Sequence, residues 1–189
     1  MRALDQTIFG WINRWPESFA PVFIFFSEAT KSNVVRALLV LLIIAMIALG
    51  PKSRKAAILA LVAWPLANGL TDVLKATFQV IRPSVDFPGV IERTGHLTSF
   101  GTASAHSANM AAVAFVFTYY LGWWGVPWIL IALLTGLSRI YVGVHYPSQV
   151  LLGWLCGAFC ALLVVKTWEA YVKTRKGPYN ETANAATDT

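Results

Sequence analysis

Residues 34–49 carry one charge, Arg36, in an otherwise unbroken apolar run that stops at Gly50-Pro51. That length approaches the ~20 apolar residues needed to cross the hydrocarbon core of a bilayer. The run constrains the fold because it recurs: apolar stretches lie at 56–78, 107–121, 126–139 and 147–165, with a shorter, weaker one at 18–26. Backbone polar groups find no water inside hydrocarbon, so such segments must satisfy their own hydrogen bonds as helices. The pattern predicts an all-α, polytopic membrane protein with six transmembrane helices in a single bundle. The chain is 57% hydrophobic and 13% charged, against roughly a quarter charged in soluble domains. One membrane domain is expected over residues 1–176, and the small, polar tail at 177–189 is expected to be disordered. The N-terminal MRALDQTIFGWINRW is too polar and interrupted for a cleaved signal peptide. It reads as an interfacial helix with Phe9, Trp11 and Trp15 at headgroup depth.

Charge placement sets an orientation. Lys52, Arg54 and Lys55 follow the second stretch, and Lys166, Lys173, Arg175 and Lys176 follow the sixth. With six spans both groups fall on the side of the N-terminus, which the positive-inside rule makes cytoplasmic for both termini. The opposite side still holds Lys75, Arg82, Arg93 and Arg139, so an anionic partner is expected there. The net charge of +6 is not gathered into a basic helix or tract, which excludes a nucleic acid as that partner. Cys156 and Cys160, four apart in an apolar run, read as small packing residues.

Three clusters carry chemistry. Lys75 precedes Arg82-Pro83 by six intervening residues; Ala103-Ser104-Ala105-His106 opens the fourth stretch; Ser138-Arg139 is followed by His145 and Gln149. The first two bracket one loop, and the third sits two crossings later, so all three can meet at one face. Phosphoryl transfer needs cations around the non-bridging oxygens, an in-line nucleophile and an acid for the leaving oxygen. Lys75, Arg82 and Arg139 supply cations, Ser104 a hydroxyl, and the start of the fourth stretch supplies free N–H groups. His106 and His145 can act as acid, base or nucleophile. Lys75 also has a structural alternative, an ion pair with Asp72, and the arginines can snorkel to headgroups. Asp86, Glu92, Arg93 and His96, in the long connection before His106, read as solvated loop residues. A second-phosphate contact by Arg93 is the alternative.

The three clusters resemble the signatures of the type 2 phosphatidic acid phosphatase family, membrane lipid phosphatases related to the vanadium haloperoxidases. K-x6-R-P matches at Lys75, Arg82 and Pro83; P-S-G-H matches in part as Ala103-Ser104-Ala105-His106; S-R-x5-H-x3-D matches at Ser138, Arg139 and His145 and departs at Gln149. The resemblance implies His145 as nucleophile through a phosphohistidine, and His106 as acid to the lipid oxygen and then base to water. Lys75, Arg82, Arg139, Ser104 and the Ala105 amide would hold the phosphoryl oxygens, with no metal or organic cofactor. The substrate would be a membrane lipid phosphate or diphosphate, undecaprenyl diphosphate first, with phosphatidic acid or phosphatidylglycerol phosphate as alternatives. Gln149 can fix the tautomer of His145 but brings no negative charge. That departure leaves open a weakened enzyme retained for lipid-phosphate binding or transport, and lipid-to-lipid phosphotransfer remains a third reading. Ala105 serves only if its backbone angle suits a residue with a Cβ.

Overall fold

A computed structural model describes residues 2–95, 97 and 99–175 of the chain. The tail expected to be disordered, and His96, lie outside the described residues. Secondary structure among the described residues is helical. Helix α1 spans Arg2–Asn13, α2 Ala20–Glu28, α3 Asn33–Leu49, α4 Pro51–Phe78, the short α5 Pro83–Asp86, α6 Ala105–Leu121, α7 Val126–Tyr141 and α8 Pro147–Arg175. Large apolar side chains such as Leu38, Leu41, Ile44, Leu151, Leu155 and Phe159 face outward. A soluble monomer does not tolerate so broad an apolar surface.

Gly50 adopts φ 148°, and Pro51 starts α4 where its missing N–H costs nothing. The chain therefore reverses sharply between α3 and α4. Lys55 sits 5.5 Å from the Tyr120 ring, and the Tyr119 hydroxyl donates to Glu169 at 2.6 Å. The start of α4, the end of α6 and the late part of α8 thus share one end of the bundle. Three segments are long and apolar enough to cross a membrane, Pro51–Asp86, Ala105–Tyr141 and Pro147–Arg175. A fourth is added if Glu17–Lys31 and Asn33–Leu49, bent by 68°, count as one broken span. The second of these is a hairpin. A Cβ on Gly125 would lie 2.4 Å from the Thr118 backbone, whereas residues seven apart in a continuous helix are separated by ~10 Å. Trp123 and Trp124 are exposed at this turn, where an interfacial belt is expected.

The stretch at 18–26, the short and weak first of the six expected spans, forms α2, whose nine residues extend only about 13 Å. It packs beside the end of α7, with Phe23 on Tyr141 at 4.9 Å and Ser27 on Arg139. Helix α1 lies across that same end. Asp5 accepts from Ser148 N at 2.8 Å, Arg2 pairs with Asp86 at 2.6 Å, and Phe9 stacks edge-on against Tyr146. The N-terminal helix therefore shares the end that holds His145, contrary to the expectation that it lies opposite. Hydropathy registers an apolar segment but not that a short one can dip beside a neighbour without crossing.

Close helix contact sets the frame of the site. A Cβ on Gly153 would fall 2.5 Å from the Ser104 carbonyl oxygen, and one on Gly157 2.1 Å from that of Ala108. Small residues one turn apart let α8 meet α6 backbone to backbone. Buried Cys156 and Cys160 line the same face and are free thiols, as their packing role requires. One turn before Gly153, the Gln149 carbonyl accepts from Ser104 N at 2.9 Å.

Candidate active site

The three sequence clusters meet at one end of the bundle. Arg139 stands in the last turn of α7, and its carbonyl accepts from Val144 N and His145 N at 3.2 and 3.1 Å. This turn, with Gly143 at φ 89° where a Cβ would strike Ile91 O at 2.8 Å, brings His145 back over the helix end. His145 is 3% exposed.

Gln149, one turn into α8, fixes the state of the ring. Its Nε2 donates to Ile81 O at 3.0 Å, and its Oε1 accepts from Tyr146 N at 3.1 Å. The amide therefore has one orientation, and Oε1 faces His145 Nδ1 at 3.0 Å. Nδ1 must carry the proton, leaving the lone pair on Nε2. Arg82, which only donates, points Nη1 at that Nε2 from 2.9 Å. Burial and the charges of Arg82 and Arg139 hold the His145 pKa well below its usual 6.5, against the hydrogen bond that His145 donates to Gln149. The imidazole is thus neutral, with its proton on Nδ1 and its Nε2 lone pair accepting from Arg82.

Arg82 is itself fixed. Its Nε donates to Ser99 O at 2.6 Å, Nη1 to Val144 O at 3.0 Å, and Nη2 to Ser99 Oγ and Phe100 O at 3.1 Å each. Ser104 caps α6, its Oγ accepting from Ser107 N at 3.3 Å, which leaves the hydroxyl proton free to donate elsewhere. Ala105 is the first residue of α6 and has no left-handed backbone angle, so the requirement set by its Cβ is met. First-turn N–H groups lack intrahelical partners. His106 follows, with Arg139, Lys31, Lys75 and Arg82 as its charged neighbours. Lys75 is ion-paired with Asp72 at 3.0 Å, while Asp72 also accepts from Asn68 at 2.8 Å. Lys75 therefore has the carboxylate partner of its structural reading, and its charge also acts on His106.

Several residues were not evident from sequence. Ser27 Oγ and O accept from Arg139 Nη1 at 2.5 and 3.2 Å, and Glu28 lies 3.9 Å from the same nitrogen. Glu28 also pairs with Lys31. A Cβ on Gly101 would meet Arg82 Cγ and Gln149 Oε1 at 2.8 Å each, so only glycine passes between these two side chains. Asn13, 1% exposed, donates to Ile91 O and Tyr141 O and accepts from Ile91 N, all at 2.9 Å, binding the long connection to α1 and α7. Arg93 is neither solvated nor poised for phosphate. Its side chain is 6% exposed, forked onto Glu17, bonded to Asn13 O and Tyr141 O, and stacked 4.0 Å over the Tyr141 ring. Asp86 is also structural, pairing with Arg2 and accepting from the Tyr146 hydroxyl at 2.6 Å. Burial first, then Asp86, holds the Tyr146 pKa above its usual range.

A buried neutral histidine beside an immobilised arginine, with a second histidine among cations at a helix start, is the arrangement that the three motifs anticipate. The sequence profile of the PAP2 superfamily matches residues 56–173. The chain belongs to this superfamily. The match takes in every residue of the three motifs and leaves α1 to α3 outside it. Among curated proteins, the chain is 29% identical over 116 residues to the bacitracin transport permease protein BcrC of Bacillus licheniformis, covering 61% of this chain and 57% of that one. It is 29% identical over 124 residues to an undecaprenyl-diphosphatase of Sulfolobus acidocaldarius, covering 65% and 60%. The matches thus span under two thirds of these relatives' lengths. The fold matches the transmembrane PAP2 type phosphatidylglycerolphosphate phosphatase of Bacillus subtilis with a TM-score of 0.68 at 24% identity, over 91% of this chain and 87% of that one. With its apolar outer surface, the chain is an integral membrane protein.

Proposed function

We propose that residues 1–176 form a membrane lipid phosphatase working through a phosphohistidine on His145. The observation that carries this reading is the locked Gln149 amide, which leaves the His145 lone pair on Nε2, directed at Arg82. In the first step Nε2 attacks phosphorus, the bond from phosphorus to the lipid oxygen breaks, and His106 gives that oxygen a proton. In the second step water attacks the phosphohistidine, the N–P bond breaks, and His106 takes the proton from water. Arg82 gives up its bond to His145 Nε2 and turns that Nη1 donor to a phosphoryl oxygen, and Arg139, Lys75, the Ser104 hydroxyl and the Ala105 N–H hold the others. Positioning and charge supply most of the catalysis of such a transfer. Gln149 secures the tautomer but does not balance the charge that His145 gains on phosphorylation. The expected outcome is a functional enzyme with a less stabilised intermediate. Superfamily membership and the likeness to an undecaprenyl-diphosphatase support a lipid phosphate or diphosphate as substrate.

The membrane topology we propose has five crossings rather than six: the bent α2–α3 pair, α4, α6, α7 and α8. The N-terminus then shares the extracytoplasmic face with the site, and Lys52, Arg54, Lys55, Lys173 and Arg175 lie in the cytoplasm. A cysteine placed at Leu4 should react with an impermeant maleimide in intact cells, and protection there would restore the six-span arrangement.

The function is tested by phosphate release from a lipid panel by purified protein in chelator, beside His145→Ala. Release that the substitution abolishes supports the reading. The name of the bacitracin permease relative favours one second reading, lipid-phosphate binding or transport. Folded protein that binds these lipids and releases no phosphate would select it.

A further inference from the structure

We infer that Lys31 reads a second phosphate that is not transferred, so that the preferred substrate class is a lipid diphosphate. This rests on the phosphatase reading of the site. Lys31 ends a one-turn 3-10 helix, Ala29–Lys31, at the 68° break between α2 and α3. The break carries a cation from an otherwise peripheral segment to the rim of the site. The connection to the site is geometric. The two oxygens of the Glu28 carboxylate are divided between Lys31 Nζ and Arg139 Nη1, the latter at 3.9 Å. The two cations therefore stand one carboxylate apart, a spacing that the neighbouring phosphoryl groups of a diphosphate also bridge. Arg139 also keeps a donor in reserve, because its Nε is buried without a hydrogen-bond partner. Lys31 is also among the charged neighbours of His106.

The two cations differ in the way this division of labour requires. Arg139 is 5% exposed and anchored on Ser27, whereas the Lys31 side chain is 69% exposed. A rigid guanidinium suits the group whose geometry must be exact, and a flexible ammonium suits a distal phosphate of variable position. A monoester is served by Arg82, Arg139 and Lys75. A diphosphate brings further negative charge, for which Lys31 is the cation at the rim. Glu28 acts as an internal anion that the distal phosphate exchanges for its own oxygens.

The test compares farnesyl diphosphate with a short-chain phosphatidic acid. Lys31→Gln should lower the ratio of kcat/KM, diphosphate over monophosphate, by about tenfold, equivalent to ~1.4 kcal/mol. Lys31→Arg should restore most of it. A readout independent of turnover uses the His145→Ala protein. Inorganic diphosphate should raise its Tm more than inorganic phosphate does, and adding Lys31→Gln should remove the difference. An unchanged kcat/KM ratio in folded Lys31→Gln protein, or a diphosphate advantage that survives the substitution, overturns the inference. Absence of lipid hydrolysis with diphosphate stabilisation that still depends on Lys31 would sink the phosphatase reading, and the substrate class with it, and leave Lys31 as a residue that binds diphosphate.

Discussion

Gly101→Ala tests whether the site depends on the exact seating of Gln149. The new Cβ would lie 2.8 Å from Gln149 Oε1 and from Arg82 Cγ. Ordinary contact requires about 0.6 Å of retreat, and neither neighbour can give way without loss. Gln149 is held by Ile81 O and Tyr146 N, and Arg82 by backbone carbonyls at residues 99, 100 and 144. Moving Oε1 away from His145 stretches a 3.0 Å contact to about 3.6 Å, beyond hydrogen-bond range. The imidazole is then free to turn or to place its proton on Nε2. Leaving one buried polar partner unmade costs ~1–3 kcal/mol, which corresponds to a drop of roughly 5- to 150-fold if it falls on the transition state. The assay is phosphate release in detergent micelles, with thermal melting to show that the bundle persists. A folded variant within about twofold of wild-type activity, far less than the ~1 kcal/mol expected, would refute the claim that Gly101 protects this geometry.

Gln149→Asp, which restores the family's usual residue, should lower turnover by about tenfold. The shorter carboxylate cannot donate to Ile81 O and does not reach both Tyr146 N and His145 Nδ1, so higher turnover would mean that charge outweighs fit. The pH profile should keep its acid limb below 6.5, because burial, Arg82 and Arg139 hold His145 neutral through that point; loss of kcat/KM with a midpoint at or above 6.5 would contradict this. For stability the sign is the same. The unfolded chain takes up a proton near 6.5 that the folded site refuses, so this group's contribution is complete above 6.5 and is lost as pH falls below it.

Hydropathy located the apolar segments well but not where the helices end. The expected stretch at 34–49 appears as α3 over Asn33–Leu49, whereas α8 runs on from the expected 165 to Arg175, and α4 begins at Pro51 rather than 56. Lys52, Arg54, Lys55, Lys166 and Glu169 are good helix residues that lie where the apolar signal has faded, so helices continue past it. The three motifs did converge on one site, because their residues sit at helix ends and short turns whose positions follow from the crossings. Arg93, Asn13, Gly101, Glu28 and Lys31 carry no comparable signal. Their importance comes from partners far along the chain, such as Arg93 on Glu17, 76 residues apart, and Asn13 on Tyr141, 128 apart, which no local pattern reveals. The side of the bundle on which α1 lies has the same origin, since the length of the stretch at 18–26 was visible but its neighbour was not.

The backbone contact of α8 with α6 at Gly153 and Gly157 has an evolutionary consequence. It fastens the helix bearing His106 to the helix bearing Gln149, so the acid of the proposed mechanism and the amide facing His145 keep their separation. Among the described residues, the bent α2–α3 pair approaches the candidate site through Ser27, Glu28 and Lys31. Under the proposed mechanism, changes at Lys31 can alter which headgroup is accepted while the α6–α8 contact keeps its spacing, whereas changes at Ser27 reach Arg139 directly.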